Sequence, residues 1–264
     1  MGKFFWGILS ASVVSLTAGA FLGYFGKTYL DMKKTPETIH AVNETEEDYE
    51  SEEPAEAPDI RNHYIADFEI IKQLPELPTG CEVTSLTMVL NYWGYEADKL
   101  EIARDYLEKS DLESVDDKLY GPDYRYVFVG DPEDDKSFGC FPPCLVSSAK
   151  KYLDDNGAKM SAVDLTGSSF DELFEYIDHD IPVIIWSTLG LAEPERLLSW
   201  IVPDGEEVTW PTNEHCIVLS GYHRGKNTVR VHDPMNGIIT LNMDSIRERY
   251  DQLGQNAVVI IKNK

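Results

Sequence analysis

Positive charge is scarce in this sequence. The chain has 47 aspartates and glutamates against 23 lysines and arginines, and its formal net charge is −24 at pH 7. Nucleic acids and anionic lipid surfaces attract proteins with basic surfaces, because lysine and arginine bind phosphate groups. We therefore exclude nucleic acid and anionic lipid as partners of the folded part.

Other features are missing or rare. No Gly-x-x-x-x-Gly-Lys-Ser/Thr phosphate loop is present, so these residues include no ATP-driven transporter, and any export machinery is a separate protein. Cysteine occurs four times, and only Cys140 and Cys144 lie close together in the sequence. Cys140 and Cys144 could bind a zinc ion only together with Cys81 and His215, and those two residues are far apart in the sequence. A structural zinc site normally has two close pairs of ligands, so we predict no metal site and no cofactor. Cys140 and Cys144 form either a small disulfide or two thiols, and the intervening Pro-Pro favours thiols.

The long apolar run of the chain is at its beginning. Residues 4–25 carry no charge and are flanked by Lys3 and Lys27, and this length suffices to span a bilayer. Ala18-Gly19-Ala20 also fits a cleaved signal peptide. We predict that residues 1–34 are a signal anchor or signal peptide. The protein is then a single-pass cell-membrane protein with its domain outside, or is secreted after cleavage.

Two further regions follow. Residues 35–60 contain ten acidic residues and neither lysine nor arginine, which predicts an extended, disordered tether. Residues 61–264 suffice for one globular domain with a hydrophobic core. Helical patterns followed by strand patterns predict an α+β fold. The helical patterns cover residues 82–93, 99–108, 143–156 and 169–177, and the strand patterns cover 181–188, 215–223, 228–232, 237–242 and 257–262. Two long connections, 110–138 and 191–212, are predicted as walls of a substrate cleft or as core.

Cys81 stands where a helix is predicted to begin. Thr79 and Glu82 have capping-box spacing, and Val83 and Leu86 begin an apolar helical pattern. The unpaired N–H groups of a helix N-terminus favour a thiolate, which is the nucleophilic form of cysteine. The alternative is a buried structural cysteine.

Partners for a nucleophile occur later in the chain. His215 begins an apolar strand, and a predicted hairpin brings Asp233 back towards it. A cysteine nucleophile needs a base and a third group that orients the base, and the order Cys81, His215, Asp233 supplies them. His232 is a weaker candidate for the base. Gln73 lies eight residues before Cys81, where its amide can donate to an oxyanion together with the Cys81 N–H.

These motifs resemble the bacteriocin-processing cysteine peptidases, family thirty-nine of the cysteine peptidases, and more closely their stand-alone secreted or membrane-anchored relatives. The resemblance rests on Gln73 and on residues 77–92, 209–210, 214–222 and 231–234. It implies a papain-like fold, with a helical N-terminal half that carries the nucleophile helix and an antiparallel sheet in the C-terminal half. It also implies four roles: nucleophile for Cys81, base for His215, orienting group for Asp233 and oxyanion donor for Gln73.

One departure from that family concerns specificity. Its transporter-linked members have Asp-Cys-Gly at the nucleophile, whereas this chain has Gly80-Cys81-Glu82 after a longer loop. We therefore do not expect cleavage after double-glycine leaders. The predicted function is hydrolysis of a peptide or peptide-like substrate through a thioester. The alternatives are acyl transfer to an amine by the same thiolate, and a membrane-tethered binding module without turnover.

Overall fold

The computed structural model describes residues 62–263, in which helices and an antiparallel sheet form an α+β structure. The strands are β1 (Asn62–Tyr64), β2 (Lys109–Ser110), β3 (Glu113–Val115), β4 (Lys118–Tyr120), β5 (Phe128–Val129), β6 (Met160–Asp164), β7 (Val183–Thr188), β8 (Arg196–Ile201), β9 (Glu207–Pro211), β10 (Glu214–His223), β11 (Thr228–Asp233), β12 (Gly237–Asn242) and β13 (Ala257–Lys262). The helices are α1 (Cys81–Tyr92), α2 (Lys99–Glu101, continued as a π-helix over Ile102–Tyr106), α3 (Pro142–Asp155), α4 (Leu173–Ile177) and α5 (Met243–Gln252).

The central sheet has seven antiparallel strands in the order β12-β11-β10-β7-β13-β6, with β1 added beside β10. All six residues of β7 are buried. Because successive side chains of a strand point to opposite faces, both faces of the sheet are covered at its centre. The predicted helical half followed by a sheet half is confirmed, and so is the α+β class.

Helix α1 is the interior helix that carries Cys81. Its first ten residues are all buried, and it contacts β10 and α3. Thr84 and Thr87 are tolerated there because their hydroxyls donate to the carbonyls of Gly80 and Val83, each at 2.8 Å. This helix has many apolar residues because it is buried on all sides.

The predicted capping box at the start of α1 is wrong. Gly80 is the N-cap residue and provides no side-chain cap. The Thr79 hydroxyl donates instead to the carbonyl of Asp134 at 2.9 Å. The Glu82 carboxylate accepts from the backbone N–H of Cys140 at 2.7 Å. Tertiary partners thus replace both local hydrogen bonds of the box.

Replacing Leu86 by alanine tests how much α1 contributes to stability. Leu86 is fully buried in α1, so truncation leaves a cavity beneath the sheet. We expect the free energy of unfolding to fall by about 2–5 kcal/mol. Urea unfolding measures the change. Leu74→Ala is the matched control, because Leu74 is 39% exposed and its truncation opens no interior cavity. Equal losses in the two variants would contradict burial of α1.

The two long connections form a second, smaller sheet. It has four strands in the order β3-β4-β8-β9, and Tyr120 in β4 pairs with Ile201 in β8. Trp200 and Trp210 are buried beside Tyr124, whose ring contacts both indoles edge to face. Trp200 and Trp210 are therefore core residues, which decides between the two alternatives predicted for 191–212.

The predicted membrane location and the predicted state of the cysteines have different outcomes. The membrane location is corrected: within residues 62–263, no helix has the length and apolar character needed to cross a bilayer. Residues 4–25, on which that prediction depends, lie outside the described residues, as does the predicted tether. All four cysteines lie in the described part and are free thiols, as the Pro142-Pro143 link predicts for Cys140 and Cys144.

Candidate active site

Cys81 is the first residue of α1 and lies directly beneath β10. Its side chain is nearly buried, with 7% of the residue exposed. The sulfur accepts a hydrogen bond from the backbone N–H of Cys216 at 3.4 Å and donates to Oε2 of Glu82 at 3.3 Å. The nucleophile predicted from sequence is therefore adjacent to the strand that carries the predicted base.

His215 and Asp233 form a buried pair across neighbouring strands. Antiparallel pairing of β10 with β11 brings the end of β11 to the start of β10. Nε2 of His215 donates to Oδ1 of Asp233 at 2.9 Å, and both side chains are buried. Because Nε2 carries the donated proton, Nδ1 of the neutral ring keeps its lone pair and can accept a proton. The predicted proximity of this pair is present as a direct hydrogen bond.

Asp233 is held as a carboxylate by several donors. Oδ1 also accepts from the N–H groups of Met235 at 2.7 Å and Asn236 at 3.1 Å, and Oδ2 accepts from the Asn236 side chain at 2.7 Å. Burial alone would raise the pKa of Asp233. The charge and hydrogen bond of His215, with the Asn236 and Met235 donors, lower that pKa to well below its usual range. Asp233 is therefore ionised at neutral pH and stabilises a protonated His215.

Gln73 lies in the loop that leads to Cys81. Its backbone N–H donates to the carbonyl of Pro234 at 3.0 Å, which holds this loop against the turn after β11. The side chain is 2% exposed, and its Nε2 donates to the carbonyl of Pro78 at 3.0 Å. An amide nitrogen carries two hydrogens, so one donor is used within the loop and one is left. Oε1 is buried without a hydrogen-bond partner among the described residues.

His232, the weaker candidate for the base, has a different role. Its Nε2 donates to the carbonyl of Phe68 at 2.7 Å, and its Nδ1 accepts from the hydroxyl of Ser220 at 2.9 Å. Burial lowers the pKa of His232 to about 4. Both ring nitrogens are occupied and the ring is neutral. His232 therefore connects β10, β11 and the N-terminal segment, and it is unsuited to accept a proton from Cys81.

Two glutamates beside Cys81 were not singled out from the sequence. Glu82 is 0% exposed, and Glu214, the first residue of β10, is 8% exposed. The Cys81 sulfur and one carboxylate oxygen of each glutamate all lie within 4.8 Å of one another. The sequence signal was available, because acidic residues flank both the nucleophile and the base.

The thiol of Cys81 is harder to ionise than its place at a helix N-terminus predicts. Burial raises its pKa well above the usual value, and the charges of Glu82 and Glu214 raise it further. The expectation of a lowered pKa is therefore wrong for this state of the protein. No hydrogen bond joins the side chains of Cys81 and His215 in the described residues, and the thiol is held by Glu82 instead.

A surface cleft of about 430 Å³ lies apart from these residues. Its walls include Tyr124, Phe141 and Pro211 with the guanidinium groups of Arg125 and Arg196. None of the four site residues predicted from the sequence lines it. The chemistry-bearing groups are thus in the buried region between α1 and β10, and not in this cleft.

Comparison with known proteins agrees with this architecture. Residues 65–258 match the model of the Peptidase_C39 like family. An uncharacterised protein of Bacillus subtilis, YvpB, is 32% identical over 191 residues, which are 71% of each chain. The crystal structure of a putative C39-like peptidase from Bacillus anthracis is 31% identical, with a TM-score of 0.67 over 77% of this chain and 98% of that one. The chain belongs to the Peptidase_C39 like family and has the C39-like peptidase fold.

Proposed function

We propose that this protein is a thiol peptidase that hydrolyses peptide bonds through a Cys81-His215-Asp233 triad. The observation that carries this proposal is the buried hydrogen bond of 2.9 Å between His215 and Asp233. It leaves Nδ1 of the base available, and the base lies on β10 beside Cys216, whose N–H contacts the Cys81 sulfur at 3.4 Å. Family membership supports the same activity.

The first step is proton transfer from Cys81. The sulfur turns away from Glu82 towards Nδ1 of His215, the S–H bond breaks and an N–H bond forms on the ring. The thiolate and the imidazolium are then stabilised together, because Asp233 remains ionised. The thiolate attacks the carbonyl carbon of the peptide, and negative charge develops on the carbonyl oxygen.

The later steps use the same groups. The Cys81 N–H and the free amide hydrogen of Gln73 are the donors we assign to the oxyanion. His215 returns its proton to the leaving amine as the C–N bond breaks, which leaves a thioester on Cys81. Water, deprotonated by His215, then cleaves the thioester, releases the carboxylic acid and restores the thiol.

A second candidate, a binding module without turnover, is favoured by one observation. In the structure the thiol donates to Glu82, and burial raises its pKa well above the usual value. Such a thiol is unreactive unless substrate or a rearrangement brings it to His215. Acyl transfer to an amine uses the same first steps as hydrolysis, so these two reactions differ only in what attacks the thioester.

Digestion of a random peptide library in H₂¹⁸O separates these functions. Hydrolysis places one ¹⁸O atom in each new C-terminal carboxylate, because water attacks the thioester. With a primary amine added, acyl transfer instead yields amides that carry no ¹⁸O. We expect ¹⁸O-labelled carboxylates in the mass spectra. Amides as the main products would assign an acyltransferase, and an unchanged library would assign the binding module.

A further inference from the structure

Three acidic groups meet in the interior of the described part of the chain, with neither lysine nor arginine among their hydrogen-bond partners. Cys81, Glu82 and Glu214 place one ligand atom each within 4.8 Å of the others. In the part of the chain that the structure describes, neither glutamate makes an ion pair or hydrogen bond with a lysine or arginine. Two buried carboxylates at this separation cannot both ionise without a large electrostatic cost.

The hydrogen bonds around the glutamates leave one oxygen unsatisfied. Glu82 accepts from the Cys140 N–H with Oε1 and from the Cys81 thiol with Oε2. Oε1 of Glu214 is buried and has no hydrogen-bond partner among the described residues. A buried carboxylate oxygen without a hydrogen-bond partner costs free energy, because burial removes the water molecules that would otherwise donate to it. One proton held by the two carboxyl groups removes one of the two charges and adds a hydrogen-bond donor to this cluster.

We propose that Glu82 and Glu214 share one proton and that this carboxyl pair keeps the Cys81 thiol protonated in the resting protein. The two glutamates are then positioning residues, which act on the nucleophile and do not touch the substrate. The catalytic meaning of the pair rests on the proposed peptidase function. Its effect on the thiol does not, since it concerns only Cys81 and its neighbours.

The electrostatics of the surrounding groups agree with a shared proton. Burial raises the pKa of Glu82 to about 7, and burial together with the Glu82 charge raises the pKa of Glu214 well above its usual value. The titratable groups that face the pair are Cys81 on α1, Cys140 just before α3, and His215 and Cys216 on β10. His215 is the one group among these that gains positive charge. The positive charge of His215 lowers the pKa of Glu82, which opposes the effect of burial.

Carbon NMR of the full-length chain, labelled with ¹³C at the glutamate side-chain carboxyl, tests proton sharing directly. The Glu82 signal is identified by its loss in Glu82→Gln. We expect it to titrate near pH 7 in the wild type. In Glu214→Gln the amide donates to Glu82, and the titration is expected to move to lower pH while it stays above the usual glutamate value near 4.3, because Glu82 remains buried. Glu175→Gln, an exposed position on α4, serves as the control and leaves Glu82 unchanged. The same Glu82 titration in wild type and Glu214→Gln would overturn the proposal.

The second measurement follows the thiol. The rate of Cys81 alkylation by iodoacetamide is measured against pH, with peptide mapping to identify the modified residue. Removal of a nearby charge makes the thiol easier to ionise. The pair with one proton and the single Glu82 carboxylate of Glu214→Gln both carry one negative charge, so we expect little change of the alkylation midpoint in Glu214→Gln. In the Glu82→Gln, Glu214→Gln double variant no charge remains beside the thiol, and we expect the midpoint to move to lower pH by about 1–2 units.

Two results of that measurement would overturn the proposal. One is an unchanged midpoint in the double variant, which indicates glutamates of purely structural importance. The other is protection of Cys81 by added Zn²⁺ in the wild type but not in Glu214→Gln, which assigns the three groups to a cation. Neither readout requires peptide hydrolysis. Failure of the carboxyl pair therefore leaves the proposed peptidase function standing, and an inactive peptidase leaves the carboxyl pair testable.

Discussion

Replacing Cys81 by alanine is expected to abolish peptide hydrolysis and to leave the fold intact. The variant removes the only atom to which the substrate can be joined as a thioester. Loss of a nucleophile in a comparable hydrolase lowers kcat by about 10⁶-fold, which here means activity below detection. The substitution deletes one small buried atom, so the sheet and α1 keep their packing. Hydrolysis of a peptide library, with circular dichroism of the same sample, measures both effects.

Cys144→Ala is the matched control for this variant. Cys144 is also a free, buried thiol, but it lies on α3 and contributes to a different part of the core. We expect the control to keep hydrolysis within a few-fold of wild type. Turnover that survives in Cys81→Ala would remove Cys81 from the mechanism. Equal loss in both variants would show that the effect comes from disturbed packing and not from chemistry.

Replacing Asp233 by alanine is expected to lower kcat by about 10⁴-fold, with a smaller change in KM. Without the carboxylate, nothing fixes the His215 tautomer that leaves Nδ1 free, and nothing stabilises the protonated ring. Asp233 does not touch the substrate in the proposed mechanism, so binding is spared. Steady-state kinetics on a cleaved peptide separate kcat from KM.

Asp233→Asn is the informative companion and is expected to keep much more activity than Asp233→Ala. Oδ1 of Asp233 accepts from Nε2 of His215 and from the N–H groups of Met235 and Asn236. Three donors facing one atom favour the amide oxygen in that place, and the Asn236 amide can rotate to accept from the new NH₂. The His215 tautomer is then preserved, as in the Cys-His-Asn arrangement of papain-like proteases. Equal losses in the two variants would show that the charge of Asp233, and not the tautomer, is what matters.

Acid is expected to break the His215–Asp233 pair only at low pH. The folded-state pKa of Asp233 lies well below its usual value of about 3.9, so its contribution to stability is complete above that value. The contribution is lost only as the pH falls further, through the folded-state pKa. A loss of activity between pH 5 and 7 therefore has to come from groups other than Asp233.

The sequence predicted the elements with strong apolar patterns and the proximity of His215 and Asp233. Strands β7, β10, β11, β12 and β13 are all close to their predicted ranges, because buried strands have continuous apolar runs. Helix α5 was missed since most of its residues are polar. The hairpin that brings Asp233 to His215 was also predictable, because a short turn leaves few ways to pair two adjacent strands.

The remaining errors concern interactions between distant segments. The spacing of Glu82 from Thr79 predicts a helix cap, but the Glu82 carboxylate binds the backbone of Cys140, 58 residues away. Glu214 looks like a surface residue until β10 pairs with β7 and is covered by α1. The ionisation of Cys81 depends on both of these charges, so it could not be predicted from the helix N-terminus alone.

The small sheet makes the two long connections of the chain mutually dependent. Tyr120 of the first pairs with Ile201 of the second, and the indole N–H of Trp200 donates to the carbonyl of Pro122 at 2.8 Å. If one connection is shortened, buried aromatic surface of the other becomes exposed and prone to aggregation. In protein engineering these segments should therefore be grafted, trimmed or exchanged together, as one module whose two parts are about 80 residues apart.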